Sequence, residues 1–522
     1  MKKTMLGRFC TMCLALVAAL TMGMSTVSFA ATPDAKDVMK VHNVEAGATV
    51  TAYQIVKEVK GEWKPVDGVT IADPTNPTAA EIAAIAKNPP TANTFALTKG
   101  ADGVYSATGK AAGMYLILVT NTNATLYNPM VVSVDYDGVE DSVDANTNFT
   151  NDAYAKSSTP KVTKKNDQAG NTATGTTNKG TSYNIGDKVP FTIETTIPSY
   201  SDQYNKVEFT VSDAMSKGLT APTEAKDVTV KVGGIAVDAT KYEFKAVGNG
   251  FEVAFKSDYI KSLASKTPAE RKVVITYNGT LNANAEWNFS QNKNEATIKF
   301  TNNPNGSTGT HKDDSKIYTF GLDANLMGSE TTKNKKTHEV IKLDEKGVAQ
   351  QLSYKEDASE ETVTNALSGA VFGLYSDKEC TNEVKKATTS QNGYMEMKGL
   401  KEGTYYLKEI SAPSGYVPSS DISKVEIKAV YKDNGLLNNY TVTITDAKGN
   451  TYNSTYTAAY DAGTITNVDI QSETLFIKNS RMPGLPSTGG MGTYIFMIVG
   501  ATLMAFAVMA YTKNAKKANE TK

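Results

Sequence analysis

Most of the chain consists of short runs in which apolar and polar residues alternate, each closed by Gly, Asn, Asp or Pro. Val189-Pro190-Phe191-Thr192-Ile193 and Lys206-Val207-Glu208-Phe209-Thr210-Val211 are examples. A period of two sends successive side chains to opposite faces, so these runs predict half-buried strands, and their spacing predicts β-sandwiches. Only a short stretch, Ala79 to Ala86, is patterned as a helix. Two polar segments, Asn146 to Ser182 and Gly328 to Lys336, interrupt the pattern. They divide the chain near 157 and near 327. The stretch between the two ends is too long for one core and suits about three domains, 31–157, 158–327 and 328–482.

The ends are patterned differently. Lys2, Lys3 and Arg8 precede an apolar core, Cys13 to Leu20, that is too short to span a bilayer. Ser28-Phe29-Ala30 follows, so residues 1–30 are expected to be a secretory signal peptide cleaved after Ala30. At the other end, Leu485-Pro486-Ser487-Thr488-Gly489 precedes an apolar run from Tyr494 to Tyr511, then Lys513, Lys516 and Lys517. The run is about eighteen residues, enough for a helical span, and the lysines suit its cytoplasmic side. This order, over 483–522, resembles the sorting signal of sortase substrates. The resemblance implies cleavage between Thr488 and Gly489 by a membrane sortase, which holds the Thr488 carbonyl as a thioester until an amine resolves it. It implies a secreted protein anchored in the cell wall.

Composition narrows the function. Lys and Arg number 54 against 55 Asp and Glu, a net charge of −1, so nothing points to nucleic acid. Of three cysteines, Cys10 and Cys13 would leave with the leader, so Cys380 remains alone and no intrachain disulfide can form. Extracellular multidomain proteins commonly rely on disulfides, so another reinforcement is expected. His42, His311 and His338 are scattered, with no metal-ligand spacing. No nucleotide loop or hydrolase elbow appears, and neither metal nor cofactor is expected.

Strand parity places polar residues on apolar faces. Val162 shares a face with Lys164; Phe209 and Val211 share one with Asp213; Asn294 shares one with Ala296, Ile298 and Phe300. Further on, Val340 shares a face with Lys342, Tyr405 and Leu407 share one with Glu409, and Leu475 and Ile477 share one with Asn479. Burying such groups unpaired costs several kcal/mol. A reaction removes that cost. Desolvation favours the neutral forms of an amine and a carboxyl, and a neutral amine is a nucleophile. A protonated carboxyl can hydrogen-bond an asparagine carbonyl, polarise it and relay protons. The amine attacks, ammonia leaves, and an amide joins two strands.

Longer motifs carry a family resemblance. Leu367-Ser368-Gly369-Ala370-Val371-Phe372-Gly373-Leu374-Tyr375 resembles the L-x-G-A-x-F-x-L-Y strand of Cna-B-type domains. Tyr405-Tyr406-Leu407-Lys408-Glu409-Ile410-Ser411-Ala412-Pro413-Ser414-Gly415-Tyr416 resembles their E-box, with Ile410 where the family usually has threonine. In that family the E-box glutamate promotes an isopeptide bond, which implies Glu409 acting on Lys342 and Asn479. Gly186-Asp187-Lys188-Val189-Pro190-Phe191, Val211 to Thr220 and Asn294-Glu295-Ala296-Thr297 resemble the isopeptide-forming second domain of fimbrial subunits. That implies Asp213 acting on Lys164 and Asn294; Lys165 competes for the lysine role, and face parity favours Lys164.

Nearly the whole chain is thus similar to sortase-assembled major pilins. The implied fold is all-β: tandem Ig-like sandwiches, Cna-A-like and Cna-B-like, in an elongated array with a signal peptide and a C-terminal sorting helix. Pilins carry the acceptor lysine in a V-Y-P-K-like motif ending the first domain. Ala153-Tyr154-Ala155-Lys156 occupies that place, which implies Lys156 as acceptor, with Lys161 as the alternative. The implied partners are pilus-type and housekeeping sortases, identical subunits, accessory pilins and peptidoglycan, with room for host-surface ligands. The expected activity is single-turnover self-crosslinking rather than turnover catalysis. A monomeric wall-anchored adhesin and an accessory pilin are the rival readings.

Overall fold

The computed structural model describes residues 38–120, 125–134, 151–166, 179–200, 204, 206–304, 306–329, 334–482 and 491–519. The expected leader and Leu485 to Gly489 lie outside the described residues.

The first unit is built on the strand Thr49–Val59, which pairs with Gly113–Thr120, itself paired with Met130–Val134. Gly113–Thr120 is apolar on both faces, and both faces are covered. Met39, Val41 and Tyr105 of a second sheet pack on one side. Ile82, Ile85 and Ala86 of the helix Ala79–Lys87 pack on the other. That helix starts where the patterning predicts because Thr78 caps it. The Thr78 hydroxyl accepts from the Glu81 amide at 3.2 Å, and the Glu81 carboxylate accepts from the Thr78 amide at 2.7 Å. Val38–His42 runs parallel to Asp152–Tyr154, so the segment carrying Lys156 leaves from the sheet that holds the first strand.

The middle unit is a sandwich of two six-stranded sheets. One contains Val162–Asn166, Lys188–Thr196 and Lys272–Leu281; the other contains Phe209–Met215, Asn292–Thr301 and Thr308–Tyr318. Between them lie Phe191, Ile193, Val211, Phe251, Ile275, Ile298 and Phe300. The third unit has a seven-stranded antiparallel sheet from Glu383–Thr388 to Thr464–Gln471. Beside it, Val340–Leu343 pairs in parallel with Leu475–Lys478.

The core of the third unit reaches further back than the polar break near 327 suggests. Phe320–Leu322 pairs with Met397–Leu400, and Tyr318, Phe320, Leu322 and Leu326 all belong to the third core. The strand Thr308–Tyr318 of the middle unit therefore feeds into the next sandwich without a flexible link. Across this junction Asn184 Oδ1 accepts from the Lys401 amide at 2.9 Å, and the Ser182 hydroxyl accepts from the Glu402 amide at 2.9 Å. At the first junction, Ser157–Ser158 pairs with Leu126–Tyr127, and Leu126 packs into the middle core. Met491–Asn519 is helical, and Tyr494–Lys513 is long and apolar enough to cross a membrane.

Candidate functional site

In the middle unit Val162, Lys164 and Asn166 are buried while Thr163 and Lys165 are partly exposed. Lys165 points outward and pairs with Glu194 at 3.2 Å. Lys164 lies in one sheet, opposite Ile193, and its side chain is fully buried. Asp213 and Asn294 lie in the other sheet on neighbouring strands, where Asp213 faces Ala296 and Asn294 faces Met215. Gly250 makes this geometry possible: a Cβ there would stand 1.9 Å from the Asp213 carbonyl oxygen. Lys164 Nζ donates to Asp213 Oδ2 at 2.5 Å. Its amine lies over Phe191 and Tyr277, with Nζ 4.8 and 4.6 Å from the ring centroids.

One residue at this site escaped the sequence reading. The Tyr277 hydroxyl accepts from Lys164 Nζ, donates to Asp213 Oδ2 at 2.5 Å and accepts from Asn294 Nδ2 at 3.0 Å. Val273, Ile275 and Tyr277 share the inner face of one strand, so Tyr277 reads as ordinary core. The available signal was a phenol on a buried face, which needs a polar partner. Among the described residues, Asp213 Oδ1 and Asn294 Oδ1 meet no hydrogen-bond partner.

The third unit brings Lys342, Glu409 and Asn479 together, with both charged side chains fully buried. Lys342 Nζ lies 3.0 Å from Glu409 Oε2 and 2.5 Å from Asn479 Oδ1. Glu409 Oε1 accepts from Asn479 Nδ2 at 2.7 Å, and the Ser419 amide donates to Oε2 at 2.9 Å. The acid thus meets the amide nitrogen of Asn479, which donates to it, rather than the expected carbonyl oxygen. Gly393 lets its backbone close over the lysine strand: its φ is +79°, and a Cβ would lie 2.4 Å from the Lys342 carbonyl oxygen. A cleft of about 350 Å³ lined by Glu409, Ser419, Asp421 and Ser423 reaches the carboxyl.

Burial holds both Lys164 and Lys342 below the ordinary lysine pKa, although the neighbouring acid opposes the shift in each case. Desolvation outweighs one carboxylate partner because removing an ammonium from water costs several kcal/mol. Each site therefore sets an amine biased toward its neutral form against a side-chain amide, with an acid touching the amine. The connections differ. In the third unit the bond would join neighbouring parallel strands; in the middle unit it would join one sheet to the other.

Lys156 and Lys161 are both exposed. The strand ahead of Lys156 is held by His42, whose Nε2 lies 2.5 Å from Asp152 Oδ1 and whose ring stacks on Tyr154 at 4.5 Å. Among the described residues no group of His, Cys, Asp and Glu could hold a metal.

Family models match four stretches of the chain. They are a T6 antigen Ig-like domain over 34–165, a Gram-positive pilin backbone subunit 2 Cna-B-like domain over 185–304, a SpaA prealbumin-like fold domain over 354–434 and an LPXTG cell wall anchor motif over 477–519. With the all-β fold and the apolar C-terminal helix, these make the chain a sortase-assembled backbone pilin of the Gram-positive type, anchored in the cell wall at the surface. It is similar along nearly its whole length to the trypsin-resistant surface T6 protein of Streptococcus pyogenes serotype M6. The two are 28% identical over 589 aligned positions, covering 97% of this chain and 99% of that one. Its fold is that of the T6 backbone pilin of serotype M6 S. pyogenes, at 22% identity and a TM-score of 0.59, covering 87% of this chain and 100% of that one. The full-length major pilin SpaD of Corynebacterium diphtheriae aligns over 86% of this chain and 98% of its own, at 19% identity and a TM-score of 0.47.

Proposed function

We propose that this pilin is a shaft subunit that crosslinks itself and is then crosslinked to its copies. Inside each subunit, Lys164 joins Asn294 and Lys342 joins Asn479 by isopeptide bonds, promoted by Asp213 and Glu409. Between subunits, Thr488 of one copy joins Lys156 of the next through a pilus-type sortase. A housekeeping sortase finally transfers the assembly to peptidoglycan, and accessory pilins share the fibre. The protein acts once on itself and does not turn over a substrate.

The observation that carries this reading is the pair of buried lysine–acid–asparagine sets. Left unreacted, each keeps an amine and an acid out of water, an arrangement that is weak as a source of stability. The amide product carries no charge and needs no such compensation.

Lys156 is solvent-exposed, as an amine entering a sortase cleft must be. No acid or base of this chain is assigned to it, so the base for that step belongs to the sortase. Lys156→Arg keeps the charge and removes the usable nucleophile. In wall extracts boiled in detergent, the native chain should give a high-mass ladder and the variant a single wall-bound band. A ladder from the variant would remove Lys156 from the scheme and turn attention to Lys161. A single band from the native chain would favour an adhesin or accessory pilin.

A further inference from the structure

The two sites solve the same chemical problem with different connections. In the third unit Glu409 touches both the attacking nitrogen and the departing one: Oε2 is 3.0 Å from Lys342 Nζ and Oε1 is 2.7 Å from Asn479 Nδ2. In the middle unit the contacts of Asp213 are with Lys164 and Tyr277, and Asn294 Nδ2 reaches it only through the Tyr277 hydroxyl. Asp213 is one methylene shorter than Glu409. A hydroxyl on the facing sheet fills the gap that the shorter acid leaves.

We infer that Tyr277 is a catalytic residue of the middle-domain crosslink, relaying a proton between Asp213 and the departing nitrogen of Asn294. The inference rests on the proposed Lys164–Asn294 bond. Lys164 Nζ attacks the side-chain carbonyl carbon of Asn294, and a new C–N bond forms. Asp213 takes one proton from the attacking nitrogen. The Tyr277 hydroxyl passes its proton to Nδ2 and is refilled from Asp213. The C–Nδ2 bond breaks, ammonia leaves, and Asp213 and Tyr277 end as they began.

The hydroxyl suits a relay rather than a stable base. Burial and the Asp213 charge hold it well above the ordinary tyrosine pKa, so an isolated tyrosinate is disfavoured and giving and taking a proton are concerted. The ring is fixed for the task. It stacks on Phe191 at 5.6 Å between centroids and meets Phe251 edge-on at 4.8 Å. Phenylalanine can keep both contacts, so Tyr277→Phe removes the hydroxyl and little else.

The test follows crosslink occupancy by peptide mass spectrometry at intervals after protein synthesis is arrested, using the chain from Ala31 to Thr488. Tyr277→Phe should form the Lys164–Asn294 bond about a hundredfold more slowly than the native chain, the usual size of a general acid–base contribution. The Lys342–Asn479 bond should form at its native rate in the same molecules, which serves as the internal control for folding. Hydrogen exchange along Lys272–Leu281 should match that of Asp213→Ala, showing that the missing bond and not a disturbed sheet explains the difference. A middle-domain bond formed within about threefold of the native rate would make Tyr277 a packing residue and overturn the inference. Slow bond formation with exchange faster than in Asp213→Ala would assign the effect to structure and overturn it too. If the native chain makes no Lys164–Asn294 bond, the underlying crosslink reading fails, which is a separate outcome.

Discussion

At the scale of single residues, strand parity decides which lysine is buried and so which one the proposed crosslink uses. Lys164 and Lys165 are neighbours of the same type, yet one is fully buried beside Asp213 and the other pairs with Glu194 at the surface. Lys164→Ala should abolish the middle-domain bond, and Lys165→Ala should leave it at full occupancy; peptide mapping distinguishes them. The burial of all six residues of the two lysine–acid–asparagine sets was legible from strand alternation, carried one residue past the end of Leu475–Lys478 for Asn479. The place of Tyr277 at the site was not, because on its own strand it reads as core, and only the folded chain brings Asp213 and Asn294 of the opposite sheet against its hydroxyl. Nor was the buried polar group around His338, where Asp323 accepts from the Met395 amide at 2.8 Å and Glu339 accepts from the Tyr456 hydroxyl at 2.7 Å. Asp323 lies at a φ of 48°, outside any periodic run, so no pattern marks it as internal.

His338 supplies a pH test. Burial pulls its imidazole down to about 4 from 6.5, so between those values the unfolded chain binds a proton that the folded chain refuses. Its neutral form is therefore fully compatible with the fold above pH 6.5, and stability is lost as pH falls from 6.5 toward 4. Asp323, held well above its ordinary pKa by burial and by Glu339, acts in the opposite sense over the acid range. The comparison must therefore be between native chain and variant. Relative to His338→Asn, the native third domain should lose up to about 3 kcal/mol between pH 7 and pH 4 in urea unfolding. A difference independent of pH would contradict this.

At the scale of elements, the mechanical consequence depends on which strands are joined. Most strands and the helix Ala79–Lys87 are local features, readable from alternation, turns and the Thr78–Glu81 cap. The parallel pairing of Val340–Leu343 with Leu475–Lys478 is not local, and only the folded chain brings those segments together. For the same reason composition and packing diverge near 327: polar composition marks Gly328 to Lys336, while Phe289, Tyr318, Phe320, Leu322 and Leu326, all ahead of it, belong to the third core. With Lys342 bonded to Asn479, tension passes through the bond and shields the 137-residue span between them. In single-molecule pulling the native third domain should show no release of that span. Glu409→Ala should add an unfolding step of about 460 Å, by the reach of an extended chain. A native chain that yields the same step would contradict a covalent staple.

At the scale of the whole molecule, the units are arranged for transmission along the chain. Thr308–Tyr318 closes the middle sandwich and leads directly into Phe320–Leu322 of the next, and hydrogen bonds from Ser182 and Asn184 span the junction. The first unit hands over through Ser157–Ser158, just after Lys156. In this account a covalent path runs from acceptor to donor, with Lys156 entering ahead of the first internal bond and Thr488 leaving after the second. Among the described residues Cys380 is the lone cysteine, and the proposed amides would supply what a disulfide supplies elsewhere, a closed loop, without being reducible. For loops of this length the constraint on the unfolded chain is about 5 kcal/mol per bond. Losing an acid should cost at least that, because it also leaves an unbonded lysine in an apolar core. Both proposed internal bonds would form by loss of ammonia, so the most direct measurement is intact mass. The chain from Ala31 to Thr488, made without sortase, should weigh two ammonias less than its sequence, and Asp213→Ala and Glu409→Ala should each restore one. A native chain at its full sequence mass would contradict the central claim.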